Sequence, residues 1–295
     1  MDWFFNFPQL DNLTLGALRR SIDDGFRVFT RAWGDPIESF FEPLRLFLIY
    51  SERLLLDTPW PIFMLVVAVL GWLASRRWTV VIGSVLSLGL IGFFGMWEDT
   101  MRTVSMTFVC TVVAIVVGIP IGILMSRSNR VQAIFNPILD VMQTMPSFVY
   151  LIPVVMLLGI GRVPGVLAVV VYAIPPIIRL TNLGIRLVDR DVLEAADAFG
   201  SSGWQKLRNV QMPLALPTIM AGINQTIMMA LAMVVIASMI GVQGLGQPVL
   251  RAINNQYFTM GMFNGLAIVA IAIIFDRISQ SFGQRLQKYR EVVHG

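Results

Sequence analysis

Long apolar runs separated by short polar segments make up the chain after residue 58. A helix needs about 20 mainly apolar residues to cross the hydrocarbon layer of a membrane, which is about 30 Å thick. We therefore predict an all-α integral membrane protein with about seven spans, of which the first and fifth are short. The predicted spans are Trp60–Ser75, Trp78–Trp97, Thr103–Ser126, Ile134–Ile160, Pro164–Ile178, which can extend through Leu183, Leu214–Ile240 and Phe258–Phe275.

Residues 1–58 have a different pattern, in which aromatic side chains are mixed with charges. Ile22, Phe26 and Phe29 are spaced i, i+4 and i+7, and Leu44–Leu56 carries a similar apolar stripe beside charged residues. This spacing predicts amphipathic helices that lie on a membrane surface or against the core and do not cross the bilayer. The first residues lack the basic and unbroken apolar segments of a cleavable signal peptide, so we expect none.

The composition supports the membrane assignment and excludes several classes of function. Hydrophobic residues make up 56% of the chain and charged residues 14%, whereas soluble domains carry about 25% charged residues. Cys110 and His294 are the only cysteine and histidine, which leaves no intramolecular disulfide and no histidine-based metal cluster. The sequence contains no recognisable carboxylate pair or activated nucleophile. We predict no catalytic residue, no metal site and no nucleic-acid partner.

The basic residues indicate the orientation in the membrane. Lys and Arg cluster after the first, third, fifth and seventh runs, whereas the opposite connections carry the single arginines Arg102, Arg162 and Arg251. Because cytoplasmic connections are enriched in Lys and Arg, the clusters are expected in the cytoplasm and the N-terminal segment outside. If Trp60–Ser75 does not cross, six spans remain and the N-terminus moves inside. The predicted segments are a periplasmic amphipathic segment, peripheral transmembrane helices, a core and a cytoplasmic tail, at residues 1–58, 59–97, 98–283 and 284–295.

A polar loop at residues 190–213, here the 190–213 loop, separates the fifth and sixth apolar runs. Asp191 and Glu194 have the spacing of a capping box, which predicts a helix that begins at about Val192. Gly200 is expected to cap the end of that helix, because glycine adopts the left-handed conformation without steric cost. The first half of the loop is therefore predicted to form one short capped helix.

The second half of the same loop predicts another short helix. Ser202 and Gln205 form a second capping box that opens a helix at Trp204–Val210, and Pro213 is expected to end it. Two short helices joined by a glycine make a compact knob that can press into the groove of a partner. The alternative is a solvated connection without a partner.

The spacing within this loop resembles a known family. Glu194-Ala195-Ala196 is followed by Gly200, and then by Val210 and Pro213. It resembles the EAA loop of ABC-importer permeases, which reads E-A-A, three residues, G, nine residues, I-x-L-P. Every spacing agrees, with Val210 in place of Ile and Met212 in place of Leu. The resemblance implies that an ATPase docks on Glu194, Ala195, Ala196, Gly200, Ser202, Val210 and Pro213.

Four further segments are similar to permeases of glycine betaine, proline betaine and choline importers, namely Gln143–Ser147, Asn182–Arg186, Gly222–Met228 and Val234–Ile240. The resemblance covers about Trp97–Leu286 and implies a type I ABC importer transmembrane domain in the bacterial inner membrane. It also implies a second copy of the chain, two ATPase subunits that bind the ATP, and a periplasmic substrate-binding protein, with no cofactor on the chain itself. The transport path is expected to involve Gln143, Pro146, Phe148, Tyr150, Asn224 and Met233.

Other functions stay open from the sequence alone. One is an ABC permease for a different small solute, and another is an ion-coupled secondary transporter. Ion coupling needs a charged group at membrane depth, for which Asp140 is a candidate, although it can equally be solvated near the inner face. A quaternary ammonium ligand could bind aromatic faces in the path, but aromatic residues near span ends more often anchor a helix at the interface. The aromatic candidates are Trp97, Phe148, Tyr150 and Tyr172.

Overall fold

The computed structural model describes the backbone of residues 10–294 and the side chains of residues 10–284. This part of the chain is helical throughout and contains no strand. The helices are α1 Asn12–Asp57, α2 Trp60–Ser75, α3 Trp78–Phe93, α4 Trp97–Arg127, α5 Asn129–Thr144, α6 Leu151–Leu158, α7 Arg162–Ala173, α8 Pro175–Arg186, α9 Arg190–Ala198, α10 Gly203–Lys206, α11 Met212–Ala237, α12 Gly246–Asn255 and α13 Phe258–His294.

Four helical segments in the described residues are long and apolar enough to cross a membrane. They are α4, the joined α7 and α8, the run from α10 through α11, and α13. Two bent pairs, α1 with α2 and α5 with α6, raise the count to six. The apolar runs predict about seven spans. The count of six leaves out α3, which has only 16 residues, fewer than the roughly 20 that span a typical bilayer. Helix α2 also has 16 residues and is counted only together with α1.

The predicted fourth span, Ile134–Ile160, is not one straight helix. The chain turns by 109° between α5 and the segment Ser147–Leu158. Met145 before the bend is extended, with ψ of 133°, as is favoured for a residue that precedes proline. Pro146 therefore separates two helices, which together are long and apolar enough to form one broken span. The expected extension of the fifth span is confirmed, since α8 continues to Arg186.

The N-terminal segment forms one helix, whereas its sequence predicts separate amphipathic helices. Helix α1 is 46 residues long and contains Pro36 and Pro43. It meets α2 at an angle of 105°. The half that follows Pro43 packs on the core, where Leu48 is buried and Ser105 on α4 donates to the Ser51 hydroxyl at 3.1 Å. This half of α1 thus lies against the protein core.

A charge cluster fixes this end of α1. The carboxylate of Glu52 lies 2.7 Å from an Arg162 guanidinium nitrogen at the start of α7 and 3.7 Å from Arg102 near the start of α4. The Glu52 side chain is only 12% exposed. Arg162 also donates to Gln243 at 3.3 Å. One carboxylate therefore joins three separate parts of the chain.

Replacing Glu52 with Gln is expected to lower the free energy of unfolding by about 2 kcal/mol. Removing one partner of a fully buried ion pair costs about 3–5 kcal/mol, and this cluster is partly exposed to water. The matched control is Glu42→Gln, since Glu42 pairs within α1 with Arg45 and both side chains are more than 40% exposed. Thermal unfolding of the purified chain measures the difference. Equal melting temperatures for the two variants would contradict the prediction.

Helix α8 packs closely against both α4 and α11 in the core. A Cβ added at Gly122 of α4 would lie 2.6 Å from the Thr181 Cβ and 2.8 Å from the Ile178 carbonyl oxygen of α8. One added at Gly184 of α8 would lie 2.9 Å from the Thr218 Cβ of α11. Small residues allow such close approach of membrane helices. They hold α4, α8 and α11 together next to the 190–213 loop.

Candidate functional site

The first half of the 190–213 loop is a capped helix, as expected, but its start differs. Helix α9 begins at Arg190, and the N-cap is Asp189, whose carboxylate accepts the Asp191 N–H at 3.0 Å. The predicted start at Val192 with Asp191 as its cap was therefore wrong by two residues. Glu194 and Ala195 are exposed on this helix, and Ala196 is half-buried.

Gly200 ends this helix in the left-handed conformation, with φ of +72°. Its N–H donates to the Asp197 carbonyl at 2.9 Å, and the Ser201 N–H donates to the Ala196 carbonyl at 3.0 Å. This pair of bonds is the Schellman motif, which satisfies carbonyls at a helix end. The prediction that Gly200 caps the helix is confirmed.

The second capping box is also confirmed. The Gln205 N–H donates to the Ser202 hydroxyl at 3.3 Å, and the Ser202 N–H donates to the Gln205 side-chain oxygen at 2.8 Å. Helix α10 starts at Gly203 as a consequence. The chain therefore reverses direction between Gly200 and Ser202. Backbone groups at the end of α9 and at the start of α10 form their hydrogen bonds with neighbouring residues.

Pro213 does not end the second helix. The backbone widens into a π turn at Leu207–Gln211, in which the Met212 N–H donates to the Leu207 carbonyl, and then continues as α11. Proline has no N–H and clashes with the carbonyl four residues earlier, and the wider turn accommodates both effects. Pro213 lies in the first turn of α11, and Val210 lies half-buried in the π turn. The prediction that Pro213 limits the helix was wrong.

Contacts on both sides anchor the two short helices. Lys206 of α10 forms an ion pair with Asp197 of α9. Arg127, at the end of α4, donates to the Gly203 carbonyl at 2.8 Å. Leu207 is buried among side chains of α4, α5, α8 and α11. The knob is thus held as a defined projection at one end of the molecule.

Two large apolar side chains on this projection point into solvent. Phe199 is 90% exposed and Trp204 is 68% exposed, one on each side of Gly200. Exposed aromatic residues in a rigid setting are typical of a protein-binding surface. No contact role was predicted for Phe199 or Trp204 from the sequence, although both lie close to Gly200, which joins the two short helices. We define Phe199, Trp204 and the exposed face of α9 with Glu194 as the knob surface.

The residues expected in the transport path are only partly brought together. Gln143, Pro146 and Phe148 are exposed around the bend between α5 and α6. Tyr150 is buried beside them, donates to the Met142 carbonyl and has its ring 6.2 Å from that of Tyr172. Tyr150 also shares a core cluster with Met233, a fully buried residue of α11. Tyr150 and Met233 are therefore brought together in the core, next to the bend that carries Gln143, Pro146 and Phe148.

Asn224 lies apart from this group. Its side-chain amide donates to Asp276 of α13 at 3.0 Å and accepts from the Ser279 hydroxyl. Trp97 is also elsewhere, edge-on to Phe63 of α2 with ring centroids 5.7 Å apart. The four aromatic candidates thus do not form one cage within a single chain.

Asp140, the candidate for ion coupling, has a cationic partner. Its carboxylate lies 2.6 Å from a guanidinium nitrogen of Arg179 on α8. The Asp140 side chain is 63% exposed and that of Arg179 is 38% exposed. The pair links α5 to α8 at the surface. This arrangement fits a structural ion pair better than an isolated charge at membrane depth.

Comparison with known proteins gives consistent similarities. The family described as "binding-protein-dependent transport system inner membrane component" matches residues 114–288, more than half of the chain. The glycine betaine/carnitine transport permease protein of Listeria monocytogenes is 49% identical over 229 residues, which cover 77% of this chain and 81% of that protein. The glycine betaine/proline betaine transport system permease protein of Escherichia coli is 48% identical over 233 residues, which cover 79% of this chain and 66% of that protein.

The architecture is also similar to a solved structure. A chain of the methionine ABC transporter MetNI, in an inward-facing conformation, superposes with a TM-score of 0.58. The match covers 63% of this chain and 93% of that chain at 20% sequence identity. At this identity the similarity concerns the fold, which is that of a type I ABC importer transmembrane domain.

Proposed function

Because this chain belongs to the family of binding-protein-dependent transport system inner membrane components, we propose that it is the permease of an ATP-driven importer for a quaternary ammonium osmoprotectant. The solute class is glycine betaine, proline betaine or choline. Support comes from relatives of 48–49% identity, whose names both include glycine betaine. An importer for another small solute is the alternative.

The observation that carries this proposal is the knob surface. The Schellman motif, the capping box and the Lys206–Asp197 ion pair hold Phe199 and Trp204 out from the protein. Burial of the two rings against a partner would contribute about 3–6 kcal/mol, at about 1.5–3 kcal/mol for each large apolar side chain. Such a surface is suited to binding a separate ATPase subunit, which stays attached to the knob while the ATPase changes conformation.

In this proposal, transport proceeds by alternating access in a pair of chains. Each chain presents its knob surface to one ATPase subunit, and ATP binding draws the two ATPases and the attached knobs together. The chain itself carries no catalytic residue and no cofactor, and ATP binds to the partner. A periplasmic binding protein delivers the solute to the opposite end. We place the knob and the C-terminus in the cytoplasm and the N-terminal segment in the periplasm, an orientation that requires α2 and α3 each to cross the membrane although both have only 16 residues.

Osmoprotection tests this function. In a strain without other uptake systems, the chain with its ATPase and binding protein should restore growth at high osmolarity when glycine betaine is supplied. Omitting the ATPase should abolish uptake of labelled glycine betaine. Adding a protonophore to the complete system should not stop this uptake immediately. Competition with proline betaine and choline then ranks the solutes.

The same assay distinguishes the alternatives. Uptake that persists without the ATPase and stops with a protonophore would favour a secondary transporter. In that case Asp140→Asn should also abolish uptake, whereas the ATP-driven mechanism leaves it largely intact. Failure of all three solutes, with ATP-dependent uptake of a different compound, would indicate an importer of another specificity.

A further inference from the structure

A groove runs between α3 and α13. Two cavities form it, with volumes of about 340 Å³ and about 230 Å³, and Ser87 of α3 lines both. The two cavities therefore adjoin at Ser87, and together their lining extends along most of α3. The 16 residues of this helix make it about 24 Å long.

One end of the groove is basic and carries hydroxyl groups. Arg77 and Arg277 line this end, and neither guanidinium forms an ion pair within the described residues. The hydroxyls of Thr79 and Ser84 also line it and make no hydrogen bond to the described part of the chain. Two unpaired cations beside free hydroxyl donors are complementary to a phosphate group.

The other end of the groove is apolar. Leu90, Ile91 and Phe94 line it from the α3 side, and Phe263 and Leu266 from α13. Among the described residues, no charged side chain lines this cavity. The rings of Phe94 and Phe263 lie 4.9 Å apart at its far end. This half suits a hydrocarbon chain.

The basic end lies where a membrane surface is expected. The rings of Trp72 and Trp78 are 4.5 Å apart beside the turn that carries Arg77, and paired tryptophans next to arginines are typical of the membrane interface. Arg277 follows Asp276, which bonds to Asn224 at the middle of α11. Further along α13, Gly283 lies next to Met220, so α13 runs from Asp276 toward the end of α11 that adjoins the 190–213 loop. The basic end of the groove therefore faces the same side as that loop.

The dimensions match one leaflet of a bilayer. From Arg77 to Ser87 is about 15 Å along α3, which is about half of the hydrocarbon thickness. A lipid with its phosphate at Arg77 and Arg277 would thus place one acyl chain along the groove as far as the apolar cavity. A basic pocket between membrane helices on the cytoplasmic side is a known kind of site for anionic headgroups.

We propose that this groove binds one anionic phospholipid, with its phosphate on Arg77 and Arg277 and an acyl chain between α3 and α13. The lipid fills the space between the peripheral helices and α13. It thereby attaches α2 and α3 to the core through the lipid as well as through direct contacts.

Native mass spectrometry of the purified full-length chain tests the site, with phosphatidylglycerol and phosphatidylcholine of identical acyl chains as probes. The wild-type chain should retain one phosphatidylglycerol in preference to phosphatidylcholine. Arg77→Gln with Arg277→Gln should reduce that preference about 25-fold, since each arginine near an anionic surface contributes a factor of about five. The control, Arg76→Gln with Arg130→Gln, removes the same charge from the same side outside the groove and should keep the preference.

A second pair of variants tests the acyl-chain half. A Cβ at Gly83, which lines the groove, would meet nothing within 4 Å, so Gly83→Phe should fold and occupy the groove. It should lose both lipids. Gly265→Phe, at an equally open position of α13 outside the groove, should retain phosphatidylglycerol.

Three outcomes would overturn the proposal. The first is a wild-type chain without preference for the anionic lipid, and the second is retention by the groove variants equal to that of their controls. The third is a disulfide-linked dimer of Ser87→Cys in a Cys110→Ala background, formed in membranes before extraction. That dimer would show that a second copy of the chain covers the groove.

Discussion

Gly200→Val is expected to abolish most ATP-driven uptake while the chain remains inserted and folded. At φ of +72° a residue with a Cβ is strained, by about 1–2 kcal/mol, and β-branching adds to this cost. Relief of the strain breaks the Schellman motif and moves Phe199 relative to Trp204. Since 1.4 kcal/mol is a factor of about ten, the docked geometry should be populated about tenfold less. Uptake and ATP hydrolysis, measured together in vesicles, should become uncoupled.

Gly95→Val is the matched control for this variant. Gly95 has φ of +74°, and a Cβ there, as at Gly200, would meet nothing within 4 Å. It lies in the turn between α3 and α4, at the end of the molecule opposite the knob surface. Equal loss of uptake in both variants would attribute the effect to general strain. Normal uptake by Gly200→Val would show that the turn at Gly200 is not needed for coupling to ATP hydrolysis.

Gly122→Leu is expected to prevent accumulation of folded protein, and Gly122→Ala to lower the melting temperature by about 5 °C or more. The atoms that a Cβ would meet include a carbonyl oxygen of α8, which cannot rotate away as a side chain can. Overpacking of this kind costs about 1–3 kcal/mol, a large part of a total stability of about 5–15 kcal/mol. Yield in membranes and thermal unfolding in detergent measure the effect.

Gly265→Ala serves as the control for the packing variants. Its added methyl group would meet nothing within 4 Å, and removal of a helical glycine by itself favours the folded state. The control should melt at or slightly above the wild-type temperature. If Gly122→Ala has the same melting temperature as Gly265→Ala, the contact between α4 and α8 does not limit stability.

Local features of the knob could be predicted from the sequence because neighbouring residues determine them. The Gly200 cap and the Ser202–Gln205 box each depend on residues within four positions of one another. Asp189 and Asp191 are both good caps, and the sequence pattern alone favoured the wrong one. The type I fold and the class of transporter were predicted through the resemblance of the loop and the last two spans.

Features that depend on distant contacts could not be predicted in this way. Pro36 and Pro43 each carry a cost of about 3 kcal/mol within a helix, yet α1 continues through both while Leu48 is buried against the core. The Glu52 cluster joins residues 50 and 110 positions apart. The place of Asn224, against α13 and away from Tyr150, follows from helix packing that no local pattern reports.

The π turn before Pro213 has a mechanical consequence. Because it keeps the backbone helical, the segment Gly203–Ile240 is one rod of 38 residues, about 57 Å long. A Cβ added at Gly222, near the midpoint of this rod, would lie 3.1 Å from the Leu180 Cβ and 3.3 Å from the Ile177 Cα of α8. A rod pivoting at its midpoint moves its two ends by similar distances in opposite directions. If the rod pivots at this contact, a push on the knob surface moves Ser238–Ile240 by about the same distance in the opposite direction.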